Sequence, residues 1–344
     1  MSLPIGTIQL KAAIPYPLLI GALLAVLALL MAISMLTGSA GVGTSELTRM
    51  FASGHGDTAW IIIREIRLPR TVLAVMIGFT LGLAGAALQG FLRNPLADPG
   101  VIGVTSTASL GAVLALYTGL SAVFPLALPL MAIAGGLSCV LILQGLAGRG
   151  GVLTLILAGV AISSLAGAGT SLALNLSPNP YAALEIVFWM LGSVTDRSLD
   201  HVALAAPFMV AGWLILGWSA ISLDALSLGE DAAASLGVNL KRTRALIVAG
   251  AAVSVGAATA VAGGIGFVGL VVPHLMRPLV RHSPSRLLLA SGLGGAILLC
   301  ASDIVVRLVG AGTGTEMRLG VVTALVGAPF FLWLVMRARV ELEA

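Results

Sequence analysis

Arg64, Arg67 and Arg70 are gathered in "IIIREIRLPR", residues 61–70, immediately ahead of the apolar run "TVLAVMIGF". Guanidinium forks grip carboxylates in bidentate fashion, so the chemistry this cluster offers is anion recognition. Asp303 and Arg307 lie at i and i+4 inside another apolar run, a spacing that lets a helix pair them. Glu316 and Arg318 open the last apolar run. His274 has no second histidine four residues on and no carboxylate close in sequence, which favours a packed ring over a metal ligand or proton relay. Cys139 and Cys300 lie in apolar runs without metal-ligand spacing and read as packed thiols. No H-E-x-x-H, no phosphate loop of the G-x-x-x-x-G-K-[ST] type and no convincing nucleophile–base arrangement occurs.

The elements that must position these residues are membrane spans. Of 344 residues 58% are hydrophobic and 9% charged, with a mean hydropathy of +1.09. A soluble domain carries about a quarter charged residues. Apolar runs of roughly 18 residues or more recur throughout, each long enough to cross a bilayer. The chain therefore reads as an all-α polytopic membrane protein. Ten spans are expected, at about 16–37, 71–91, 101–120, 124–146, 153–174, 201–221, 244–262, 265–281, 285–308 and 319–337. The first run lacks a small-residue cleavage site and reads as a retained span. Residues 176–200 are too polar for a span and read as a partly helical interfacial piece, with Tyr181, Phe188 and Trp189 as anchors. The sequence pI near 9.6 does not point to nucleic acid, because the basic residues are scattered at span ends without a stripe or RNA-binding motif.

Orientation follows from the Lys/Arg bias. With both termini inside, eleven basic residues face the cytoplasm and seven the outside: Arg49, Arg64, Arg67, Arg70, Arg197, Arg307 and Arg318. The opening arginines thus lie on the face where basic residues are disfavoured, which argues for a task there. Spans 2 and 7 enter from opposite sides and are both rich in small residues, a pattern that allows close helix approach and hints at an inverted repeat, about 71–174 and 244–337.

Three further stretches carry information. In "LRNPLADPGVIG", residues 92–103, Asn94-Pro95 and Asp98-Pro99-Gly100 are turn signals. The segment is either a tight cytoplasmic loop or a constriction with Asn94 and Leu96 at a pathway's inner mouth. The longest inside loop, 222–243, contains "LGEDAAASLGV". Ser227 and Glu230 have capping-box spacing and Gly237 suits a C′ position, so a short helix of roughly two turns is expected. Such a helix is marginal alone and makes sense docked in a partner's groove; the alternative is an ordinary connector. In "AGGIGFVGLVVPHLM" the glycines and Pro273 predict an irregular outer end.

Together, "RLPRT" at 67–71, "RNPLADPG" at 93–100, "LILAGVAI" at 155–162, "FWMLGS" at 188–193, "LGEDAAASLGV" at 228–238, "GIGFVGLVVPH" at 264–274 and "GVVTALVGAPFF" at 320–331 resemble the FecCD or BtuC-like permeases of binding-protein-dependent ABC importers. The resemblance implies a type II ABC importer permease fold of ten helices. It also implies a homodimer in the bacterial inner membrane, with the pathway at its two-fold interface. Two cytoplasmic ATPase subunits would bind ATP and Mg, leaving no cofactor in this chain, and a periplasmic binding protein would deliver an iron–siderophore, haem or cobalamin cargo. By resemblance Arg67, Arg70 and Arg307 dock the binding protein, with Arg307 leaning to that partner rather than to Asp303. The same resemblance implies that Asn94, Leu96, Gly151 and Val152 would form the cytoplasmic gate. It also implies that Leu228, Gly229, Glu230, Asp231, Ala232, Ser235, Leu236 and Gly237 would belong to the segment that couples to the ATPases. One departure is Glu316-Met317-Arg318-Leu319-Gly320, where the family often has E-L-P-V-G. Arg318 is a candidate contact for an anionic cargo. The rival readings are an ion-coupled secondary transporter, which would need buried carboxylates or a broken-helix ion site, and an intramembrane enzyme.

Overall fold

The computed structural model describes residues 14–38, 58–124, 126–147, 152–177, 180–313 and 316–343. All regular structure among them is helical. The principal helices are α1 (Tyr16–Leu36), α2 (Leu68–Leu92), α3 (Val104–Tyr117), α4 (Ala127–Ala147), α5 (Val152–Asn175), α6 (Pro180–Met190) and α7 (Leu199–Trp218). They continue with α8 (Ala220–Leu226), α9 (Glu230–Ser235), α10 (Leu240–Ala262), α11 (Val268–Met276), α12 (Pro284–Thr313) and α13 (Leu319–Glu343).

Every expected span coincides with a helix, but only seven helices among the described residues are long and apolar enough to cross a membrane. The run 101–120 yields the 14-residue α3, because Pro99–Ile102 form a 3₁₀ turn and Gly103 has φ 86°. The run 265–281 yields the nine-residue α11, since residues 263–267 are irregular and the chain turns after Met276 with Arg281 and His282 at positive φ. Nine residues rise only about 14 Å, half a hydrocarbon core. The glycine-rich irregularity is thus where the sequence places it.

Helix α2 starts earlier than the apolar run. Ile62–Arg67 form a π turn that leads straight into it, and the Leu68 N–H reaches back five residues to the Ile63 carbonyl. Pro69 has no N–H for the ordinary four-residue bond, so the wider turn accommodates it. The arginines consequently project from a helix rather than from the preceding loop.

The centre of the bundle is α2 against α12 and α11. Built Cβ atoms on Gly78, Gly82 and Gly85 would collide with the backbone of Gly295, Ser291 and Gly269 respectively, so these helices touch main chain to main chain. Around this centre Leu73, Ile77, Leu88, Ile247 and Leu299 are fully buried. Trp213 of α7 donates to Thr80 of α2 at 2.8 Å, and Ser34 of α1 is bonded to Thr71 at 2.6 Å. By contrast α5 and α13 leave broad apolar faces uncovered, with Leu165 and Leu325 at 75% and 64% exposure. In the 176–200 piece α6 is helical as expected; Tyr181 and Phe188 are exposed, whereas Trp189 is buried.

Candidate functional site

At one end of the bundle the π turn aims Arg67 and Arg70 at α1 and α12. Arg70 Nε donates to Asp303 Oδ1 at 2.9 Å, and Arg70 Nη1 meets Glu316 Oε2 at 3.0 Å. Thr195 Oγ1 donates to the same Glu316 oxygen at 2.9 Å. On the other side of Asp303, Arg307 Nε donates to Oδ2 at 2.8 Å, the i,i+4 pair that helical spacing allows. The remaining nitrogens finish α1: Arg307 Nη1 donates to the Ser34 and Thr37 carbonyls, and Arg67 Nη1 to those of Met35 and Leu36. The last carbonyls of a helix have no partner within it and carry partial negative charge, so two guanidinium groups satisfy both the bonds and the dipole.

These three arginines are 3–7% exposed. Arg307 is buried and bonded to Asp303 and α1, the pairing that the sequence reading set second to a partner, and it lines the same cleft as Arg67 and Arg70. That cleft, of about 370 Å³, is also lined by Glu65, Thr195, Arg197 and Glu316. Arg67 Nη2, Arg70 Nη2 and Arg197 Nε are themselves buried and have no hydrogen-bond partner among the described residues. Burial is the main cause that pushes the Arg197 guanidinium below its ordinary value; Asp196 opposes that and Arg318 adds to it. The cleft can accept the oxygens of a carboxylate. Arg318 lies beside it, its guanidinium 5.2 Å from the centre of the Phe188 ring. Among the described residues Arg64 pairs with its exposed neighbour Glu65, at 3.5 Å.

At the opposite end, Arg93 at φ 47° stops α2 and the chain makes two side-chain-stabilised turns. Asn94 Oδ1 accepts from the Leu96 N–H at 2.9 Å, and Asp98 Oδ1 from the Gly100 N–H at 2.8 Å. Desolvation pushes the Asp98 carboxyl above the ordinary carboxylate value, against the opposing pull of the Gly100 bond. Asn94 and Leu96 are both exposed. Gly151 lies outside the described residues, and Val152 is the first residue of α5.

The 228–238 segment holds the short helix α9, six residues long. Its start differs from expectation: Ser227 bonds the Asp224 carbonyl instead of a helix N–H, and Gly229 at φ 110° is the N-cap, so no capping box forms. Its end agrees. Gly237 has φ 85° and its N–H bonds the Ala234 carbonyl, while the Val238 N–H bonds that of Ala233, a Schellman pair. Leu228 and Leu236 project with 68% and 66% exposure. Asp224, which the sequence did not single out, accepts from the Ser285 N–H at 2.9 Å and so ties α8 to the start of α12. Glu316 and Thr195 also belong to the arginine cluster, which no sequence spacing indicates; the one signal is that Glu316 opens the last apolar run together with Arg318.

The family model described as the FecCD transport family matches residues 14–337. The chain belongs to the FecCD transport family. The cobalamin import system permease protein BtuC of Halobacterium salinarum is 39% identical over 86% of this chain and 80% of its own length. The hemin transport system permease protein HmuU of Yersinia pestis is 36% identical over 90% and 94%. The Fe(3+) dicitrate transport system permease protein FecD of Escherichia coli is 38% identical over 83% and 88%. Among solved structures, a metal-chelate type ABC transporter in an inward-facing conformation superposes with a TM-score of 0.84 and 32% identity, covering 94% of this chain and all of that one. Like these FecCD relatives, the chain is an ABC permease that crosses the membrane several times.

Proposed function

We propose that this chain is the membrane-spanning permease subunit of an ATP-driven importer that passes an iron complex from a periplasmic binding protein to the cytoplasm by alternating access. The observation that carries the reading is the cleft lined by four arginines, Arg67, Arg70, Arg197 and Arg307, beside a buried ion-pair cluster. Facing outward, as the charge bias has it, the cleft suits acidic side chains on the two lobes of a binding protein. Arg307 lines the cleft as well, and it holds Asp303 and the end of α1 in place. Exposed ion pairs contribute only about 0.2–1 kcal/mol each, so they set register and on-rate more than affinity.

At the other end, α9 with Leu228, Glu230, Asp231, Ala232, Ser235 and Leu236 would enter a groove on each of two ATPase subunits. ATP and Mg would be bound there, and no cofactor by this chain. Asn94, Leu96, Gly151 and Val152 would close the pathway between two copies of the chain. An iron–siderophore complex is the cargo we favour, with haem and cobalamin as the alternatives. The ion-coupled reading has less support, since Asp303 is buried and both of its oxygens accept from guanidinium groups that already neutralise it.

The deciding experiment is affinity capture of the tagged chain from its own cells in mild detergent, with every co-purifying protein identified. An ATPase and a binding protein are expected, and the ligand held by the latter names the cargo. A folded preparation that brings down neither overturns the importer reading.

A further inference from the structure

Pro273 lies inside α11 and has no N–H, so the carbonyl four residues back, on Gly269, has no helical partner. That carbonyl is not left bare. Gln89 of α2 donates its amide to Gly269 O at 3.2 Å and to Leu270 O at 3.3 Å. Its own Oε1 accepts from Arg277 Nη2, one residue past the end of α11, at 2.7 Å. Gln89 is 2% exposed, so both halves of its amide are committed within the bundle. The same Gly269 is where the Asn94–Asp98 turn rests on α11: a Cβ there would lie 2.9 Å from Pro99 Cδ and 3.2 Å from Asp98 Oδ2. One side chain therefore bridges the break in α11, the last turn of α2 and the seat of the turn that follows it.

We propose that Gln89 is a positioning residue for the transport step, clamping the carbonyl that Pro273 leaves free and thereby seating the Asn94–Asp98 turn against α11. This rests on the importer reading for its purpose, though not for its geometry. A proline break gives α11 a joint that an unbroken helix lacks. The Gln89 amide decides whether that joint is fixed or free.

The test uses the full chain in nanodiscs, where both faces are accessible, with Ala97→Cys, buried in the same turn at 4% exposure, as reporter and maleimide as probe. Cys139 and Cys300 are buried and set the background, measured without the reporter. Gln89→Leu should raise the labelling rate at position 97 by about tenfold, the usual consequence of leaving a buried carbonyl unsatisfied. Pro273→Ala in the same chain restores an N–H to the Gly269 carbonyl and should return the rate to within about twofold of the parent, on the same ground. Loss of packing at Gln89 would not be repaired that way. Gln89→Asn, which keeps an amide but falls one methylene short, should behave as Gln89→Leu and serves if the leucine variant does not fold.

An unchanged or slower rate in the Gln89 variants, or no recovery with Pro273→Ala, overturns the proposal. Capture of the ATPase and binding protein is scored separately. Parent-like labelling in a chain that still captures them sinks the clamp alone. Raised and rescued labelling in a chain that captures neither keeps the clamp and sinks its purpose.

Discussion

Asp303 carries two guanidinium groups at 1% side-chain exposure, so the cost of removing it falls on its neighbours. Asp303→Ala leaves Arg70 and Arg307 buried without their carboxylate, and a broken buried pair of this kind costs about 3–5 kcal/mol. A marked fall in the thermal unfolding midpoint in detergent is expected. The triple change Arg70→Met, Asp303→Leu, Arg307→Met should recover part of it while abolishing capture of the binding protein. Arg318 stands apart from this cluster, stacked on Phe188. If it attracts an anionic cargo, Arg318→Ala should lower uptake of carboxylate-bearing iron chelates several-fold with little change in stability; unaltered uptake of every such cargo would falsify the assignment. At this scale the sequence was informative where partners are close in the chain. The Asp303–Arg307 pair follows from i,i+4 spacing alone. Arg70 meets Glu316 across 246 positions, and no spacing rule reaches that far.

Among the elements, the glycines of α2 have close neighbours whereas Gly21 of α1 has none. A Cβ on Gly82 would strike the Ser291 carbonyl, which is backbone and cannot rotate away. Gly21 on α1 has open space around it. Gly82→Ala should therefore destabilise the chain by at least about 1–3 kcal/mol, the scale of forced overpacking. Gly21→Ala should be neutral or slightly stabilising, since alanine is the better helix former. Comparing the unfolding midpoints of the two variants checks both. The small-residue blocks of spans 2 and 7 were legible as close-packing surfaces, but their partners were not. Span boundaries were read well where apolar runs end in charge. They were read poorly where a proline or a left-handed glycine cuts a run short, as at Pro99 and Gly103, because hydropathy does not register backbone geometry.

For the molecule as a whole, the uncovered faces of α5 and α13 are the feature that the bundle itself does not explain. Leu157, Leu165 and Leu172 project from α5, and Leu325 and Leu332 from α13. Lipid would satisfy them chemically, and under the proposed importer function they are also where a second copy would enclose the pathway. Native mass spectrometry from nanodiscs is expected to show two copies per particle, and Leu165→Cys to cross-link between them on mild oxidation. Particles holding one copy each would mean that another permease supplies the second half. The all-helical, multi-pass class was plain from composition, since 9% charge admits little else.

The arginine caps on α1 also set a timetable for synthesis. Arg67 follows the Met35 carbonyl by 32 residues, whereas Arg307 follows the Ser34 carbonyl by 273. At about 5–20 residues per second, the second cap emerges roughly 14–55 s after the carbonyl it serves. Through that interval the first helix to enter the bilayer waits half-fastened, dependent on interfacial water for its last bonds. Chains that stall before α12 should be the ones a membrane protease recognises by that loose first helix.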